Sequence, residues 1–182
     1  MTAREYMFLG VMGAVSFVCA FALGTGLNAA TGIPMVGGLV NGIVVGVLLT
    51  VGAKGVPKFG APTLLWTLLS VFAIPTLTVG PPGLQKVVVG VATGFIWDLV
   101  VLAFRWRTAG YVLGAGIGSV AATLGVFAAS LLLGLPAAEK LAKALVLVLP
   151  LNFVIGAISG YLGVLLFDRR VSRLKVMKDL LG

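Results

Sequence analysis

The stretch Leu84–Arg107, LQKVVVGVATGFIWDLVVLAFRWR, decides how this chain is read. From Val87 to Phe104 it is apolar or small apart from Thr93 and Asp98, and it is close to the roughly 20 residues that a helix needs to cross the hydrocarbon core. Asp98 is the only acidic side chain inside any long apolar run of the sequence. An ionisable group in a lipid-embedded helix is costly unless it faces protein or water, so Asp98 is a functional candidate by default. A structural reading stands beside it: lying seven residues before Arg105 and near the helix end, the carboxylate can pair with a basic group at the membrane surface. Asp98 and Arg105 are therefore carried as structural or gating charges. Arg105, Trp106 and Arg107 form the basic and aromatic anchor expected where a helix leaves the bilayer.

Working outward, the whole chain has the same character. Its 182 residues are 60% hydrophobic and 10% charged, with mean hydropathy +1.18, against a charged share of about 25% in soluble domains. The net charge of +8 does not indicate a nucleic-acid partner, because the basic residues are scattered between apolar runs and do not line one patch. Cys19 is the single cysteine and histidine is absent. That excludes an internal disulfide and a Cys/His zinc site, and Cys19 reads as a small core thiol.

Punctuation divides the sequence into six spans. Helix 1 is expected over Arg4–Gly24 and helix 2 over Pro34–Gly52, joined by the turn-rich Gly24–Pro34 segment. A short basic loop, Ala53–Gly60, leads to helix 3 at Ala61–Thr78, with Pro75 as its kink or end. Helix 4 covers Leu84–Phe104 and helix 5 Gly110–Leu133. An amphipathic connection at Ala137–Lys143 precedes helix 6, Ala144–Phe167, which Pro150 and Asn152 are expected to interrupt. The tail from Asp168 to Gly182 is basic and is expected to lie as a helix on the cytoplasmic membrane surface. The fold class is thus an all-α polytopic membrane protein, one domain over residues 1–182. With six spans both termini share a side, and ten of the 13 Lys and Arg residues fall there. Only Lys86, Lys140 and Lys143 fall on the other side, which predicts both termini in the cytoplasm.

Small residues recur every fourth position, as at Gly42 and Gly46, Gly90 and Gly94, Gly110 to Gly118, and Gly156 and Gly160. Such ridges let helix backbones approach closely where no hydrophobic force drives association. Helix 1 has a shorter version, Gly10 with Ala14, which is the candidate for docking a partner's helix. Helix 3 lacks a ridge and is expected at the periphery.

No phosphate-binding glycine loop, Ser-His pair or zinc-protease motif occurs, so no catalytic residue, metal or cofactor is assigned and the chain is not read as an enzyme. The polar side chains assigned to the outer half are the ligand candidates: Asn28, Asn41, Gln85, Glu139 and Asn152. Amides suit uncharged ligands because they both donate and accept. Asn28 reads equally as a turn residue, Asn152 as a local cap beside Pro150, and Glu139 as a solvated surface charge. Phe153, beside Asn152, is the aromatic contact. Helix direction puts Trp66, Trp97 and Trp106 in the inner half, which sets them aside as ligand contacts. Without an acidic group in the outer half other than Glu139, an uncharged heteroaromatic ligand fits better than a strongly charged one.

Two motifs carry a family resemblance. Pro57-Lys58-Phe59-Gly60-Ala61-Pro62-Thr63-Leu64 is similar to a Lys-Pro-Gly-Ala turn, and Pro81-Pro82-Gly83, Gly90, Thr93-Gly94-Phe95-Ile96-Trp97-Asp98 and Arg105-Trp106-Arg107 follow in order. Over residues 55–118 the chain resembles the S components, the substrate-capturing membrane subunits of energy-coupling factor (ECF) transporters, of the thiamin and hydroxymethylpyrimidine type. Departures are Asp98 where the family commonly has Glu, and Trp66 and Leu68 where acidic side chains often occur.

The resemblance implies a prokaryotic, multi-pass cell-membrane protein that binds a vitamin or vitamin precursor, thiamin or its hydroxymethylpyrimidine precursor, in an outward pocket. It also implies delivery through a coupling transmembrane subunit and two ATPase subunits, with the Gly24–Pro34 segment as a lid. A self-contained carrier or channel, for which an internal repeat is expected, and a ligand-free membrane scaffold are the alternatives.

Overall fold

A computed structural model describes residues 1–31, 34–76, 82–134, 137–174 and 177; the side chains of 25, 27–29, 31, 34–39 and 137–141 lie outside that description. Six α-helices hold the described residues: α1 Ala3–Thr31, α2 Pro34–Gly55, α3 Ala61–Ala73, α4 Gln85–Ala103, α5 Thr108–Leu132 and α6 Ala137–Arg169. A single 3-10 turn, Val171–Arg173, follows α6. Four helices, α1, α4, α5 and α6, contain stretches long and apolar enough to cross a membrane, and the chain is a helical membrane protein.

Two of the expected helix bounds are corrected, and of the two alternatives for Pro75 the structure shows the end of helix 3. The Gly24–Pro34 connection is helical as far as Thr31, because in apolar surroundings nothing but the helix satisfies backbone polar groups and glycine alone does not break it. α3 stops at Ala73 after 13 residues, about 20 Å at 1.5 Å per residue and short of a bilayer core of about 30 Å. Helix 6 begins at Ala137 and runs through Pro150 and Asn152 without a break. The unwound turn expected there does not form; Pro150, which has no N–H for the Val146 carbonyl, is exposed.

The helices pack as a closed ring in the order α1, α2, α6, α5, α4, α3 and back to α1. Small residues set the seams. A Cβ on Gly94 would overlap the Pro62–Thr63 backbone, and one on Gly90 the Ser70 side chain and the Trp66 carbonyl. Gly46 makes the same kind of room for Ser159, and Gly156 for Ser119. The four-residue ridges are therefore internal packing surfaces. α3 is not peripheral: Ala61, Leu65 and Leu69 belong to the central core with Leu9, Leu49, Trp97, Val101 and Tyr111.

One end of the bundle is ionic. Thr2 and Glu5 cap the start of α1 reciprocally: the Thr2 N–H donates to Glu5 Oε2 at 2.7 Å and the Glu5 N–H to Thr2 Oγ1 at 3.4 Å. Lys58 Nζ pairs with Glu5 at 2.8 Å and Lys54 Nζ with Asp168 at 2.7 Å, tying the α2–α3 loop to α1 and the end of α2 to the end of α6. At that same end α4 turns into α5 through Arg105 and Trp106, both left-handed (φ 51° and 59°). The Trp106 N–H donates to the Val101 carbonyl at 3.0 Å, and its ring lies 6.4 Å from that of Tyr111. The turn leaves Arg105 exposed, so it is not the partner of Asp98.

Candidate functional site: a cavity at the centre of the ring

α4 positions the site, and its two faces do different work. Lys86, Gly90, Gly94 and Asp98 recur at four-residue spacing and meet α3 in antiparallel packing. Asp98, fully buried, accepts the N–H of Gly60 at 2.9 Å, the N–H of Thr63 at 3.0 Å and the Thr63 hydroxyl at 2.5 Å. Backbone donors in the first turn of a helix are otherwise left unpaired, so a carboxylate from another helix serves as the cap of α3. Gly60 reaches Asp98 with φ 94°, a conformation that glycine adopts at no steric cost.

At the opposite end the buried Lys86 donates to the carbonyls of Ala73 at 2.8 Å and Thr76 at 2.6 Å. A negative group at the N-terminus of α3 and a positive one at its C-terminus both complement the helix dipole. The rise between Lys86 and Asp98, about 18 Å for twelve residues, matches the length of α3. Asp98 is thus held by the α3 N-terminus and not by a basic residue.

The preceding residue on α4 does something else. Trp97 is 2% exposed, and its ring edge lies over Gly114 of α5, where any Cβ would overlap Cδ1 and Nε1. It forms part of the wall of a cavity of about 390 Å³ at mid-depth in the ring, to which all six helices contribute. The wall includes Ala20 of α1, Asn41 and Gly46 of α2, Trp66 of α3, Ser119 and Thr123 of α5, and Asn152 and Ser159 of α6. No charged side chain is among the described residues that line it.

Polar groups on the α5 and α6 walls are paired. Asn152 Nδ2 donates to Thr123 Oγ1 at 2.7 Å, and the hydroxyls of Thr123, Ser119 and Ser159 donate to carbonyls of their own helices. On the opposite walls three groups have no partner among the described residues: Asn41 Oδ1, Trp66 Nε1 and Trp97 Nε1.

Of the sequence candidates, the structure brings Asn41 and Asn152 together on this cavity. Phe153 does not line it but packs on Gly116 of α5. Gln85 is at the start of α4, its amide donating to the Pro82 carbonyl at 2.9 Å. The side chains of Asn28 and Glu139 lie outside the described residues. Around Gly10 the surface is open, with no heavy atom within 4 Å of where a Cβ would stand, and Ala14 is half-buried.

Trp66 and Trp97 escape the sequence reading because it sets inner-half residues aside, whereas the cavity reaches down to them. A signal for Trp97 is present: if Asp98 faces a neighbouring helix, the residue before it is turned by about 100° toward another. No protein family, curated protein or solved structure matches this chain.

Proposed function

We propose that the chain is a substrate-capturing membrane subunit of the S-component kind, holding a small uncharged molecule in the central cavity. The observation that carries this reading is the cavity itself: about 390 Å³, bordered by six helices, apolar with a few polar groups and without a charged side chain among its described lining residues. Those are the properties of small-molecule sites in general, which run from about 300 to 1,000 Å³ with a few placed polar atoms. Thiamin, a cation, would want a carboxylate, and Asp98 is already occupied by three donors. A hydroxymethylpyrimidine-type precursor suits the wall better.

The resemblance over residues 55–118 supports the same reading. Its most specific element, the Pro57–Leu64 turn, is the segment that Asp98 holds through Gly60 and Thr63. In the proposed topology the ionic end, where α1 starts and α6 ends, is cytoplasmic and ligand enters from the other side. Transport then requires a coupling subunit and two ATPases. The face of α1 around Gly10 and Ala14, flanked by the exposed Met7, Val11 and Val18, is the proposed contact.

Mass spectrometry of small molecules released from the protein purified from membranes tests the proposal directly. A pyrimidine or related vitamin precursor in stoichiometric amount is the expected result. Solute uptake by vesicles containing this chain alone, or labelling of the basic tail from outside the cell, would overturn it.

A further inference from the structure

The ionic end carries a separate concave site, away from the central cavity. Arg169, Arg170, Val171, Arg173 and Leu174 line it where the chain leaves α6. All three arginines are exposed, and none has an ion pair among the described residues. The neighbouring carboxylate, Asp168, is taken by Lys54 at 2.7 Å. Three positive charges thus border one hollow with no protein counter-charge among the described residues.

The hollow is held in shape. At Arg170 the backbone leaves the helical region (φ −125°, ψ −58°), and in the 3-10 turn that follows the Arg173 N–H donates to the Arg170 carbonyl at 3.3 Å. The Ser172 hydroxyl donates to the Asp168 carbonyl at 3.1 Å. Beyond the turn, Met177 is buried with Val51 of α2 and Phe167 of α6, against Phe8 and Met12 of α1, and its N–H donates to the Leu174 carbonyl at 3.0 Å. An anchored turn has already lost the chain freedom that a loose basic tail gives up on binding.

α6 sets the depth of the hollow in the membrane. Leu147, Leu151, Val154, Ile158, Leu162 and Leu166 are exposed, at the three- and four-residue spacing of a single helix face. From Leu147 to Leu166 this stripe rises about 29 Å, which matches a hydrocarbon core of about 30 Å. The arginines follow directly after it, at the level of the phospholipid headgroups. Leu174, 57% exposed, gives the hollow an apolar rim.

We infer that this hollow binds the headgroup of one anionic phospholipid, the guanidiniums taking the phosphodiester oxygens while the acyl chains run along the α6 stripe. A guanidinium donates in a planar fork that fits two phosphate oxygens at once. A zwitterionic headgroup brings its own cation beside the phosphate, so three positive charges select the anionic lipid. Free phosphate has no use for the stripe or for Leu174. The site is independent of what the central cavity holds.

The test is native mass spectrometry of the full chain in detergent with equal amounts of phosphatidylglycerol and phosphatidylcholine. One phosphatidylglycerol per chain is expected to stay bound in preference to phosphatidylcholine. A basic residue near an anionic surface contributes about fivefold, so replacing Arg169, Arg170 and Arg173 together by Gln is expected to weaken phosphatidylglycerol by at least about tenfold. The control removes the same charge at Arg4, Arg105 and Arg107, exposed residues that do not line the hollow, and is expected to leave the affinity nearly unchanged. Met177→Ser keeps every charge but frees the turn, and is expected to weaken binding severalfold. Equal losses in the two triple variants, equal retention of the two lipids, or unchanged affinity in Met177→Ser overturns the site. Displacement of the lipid by inorganic phosphate overturns the assignment to a lipid.

Discussion

Two neighbouring residues of α4, Asp98 and Trp97, are both almost completely buried and both carry polar atoms, yet they face opposite situations. Asp98 looks into the α3 seam, where its carboxylate takes three hydrogen bonds from the start of α3. Trp97 borders the cavity, but its indole N–H edge is packed on Gly114 of α5 and has no partner among the described residues. The α3–α4 seam has its polar groups paired, whereas three polar atoms of cavity-lining residues have no partner among the described residues. Burial of a polar group does not mark function. Its hydrogen-bond balance separates the groups that close a helix seam from those that the fold itself leaves without a partner.

The seam should fail first. Asp98→Ala leaves the Gly60 and Thr63 donors buried without an acceptor and is expected to cost about 3 kcal/mol, lowering Tm by roughly 6–12 °C, read by thermal unfolding in detergent. A variant that melts like the parent would end the capping account. Gly94→Leu should follow, because the Thr63 backbone occupies the space of its Cβ and overpacking typically costs about 1–3 kcal/mol. Separation of α3 from α4 is then seen as faster hydrogen exchange in Leu64–Ala73. Lys86→Met keeps the aliphatic stem and loses the donors to Ala73 and Thr76; about 1–2 kcal/mol is expected, with little change in the Asp98 end.

On the cavity side the order reverses, with binding affected and stability spared. Ala122→Phe fills space in the cavity; binding of the proposed ligand should be lost while Tm holds or rises, because filling a void restores packing. Asn152→Ala should be the mildest, lowering affinity about tenfold with a change in Tm of only a few degrees, since Thr123 keeps its bond to the Ser119 carbonyl. Unchanged affinity in isothermal titration would remove Asn152 from the site. A large stability loss in Asn152→Ala would erase the distinction between seam and cavity.

Much of the architecture was legible because membrane helices obey local rules. Helix 4, read over Leu84–Phe104, is Gln85–Ala103, and helix 5, read over Gly110–Leu133, is Thr108–Leu132. Apolar length and flanking charge set these bounds with no tertiary information. The errors fell where glycine and proline, strong breakers in water, sit in apolar surroundings: Gly24 and Gly26 stay helical in α1, and Pro150 stays helical in α6. Asn41 and Asn152 were legible as polar groups in apolar helices. Trp66 and Trp97 were not, since an aromatic in an apolar run looks the same whether its N–H is paired or free.

The sequence by itself determined the solvent, the helices and the packing ridges, because hydropathy, charge placement and four-residue spacing are properties of one segment at a time. Only the tertiary structure decided that Asp98 caps α3, that Lys86 holds its other end, and that two tryptophans and an asparagine share one wall. Those facts depend on which helix stands beside which and at what rotation. A difference of about 100° between successive residues of α4 puts one side chain in the α3 seam and the other against α5 at the border of the cavity.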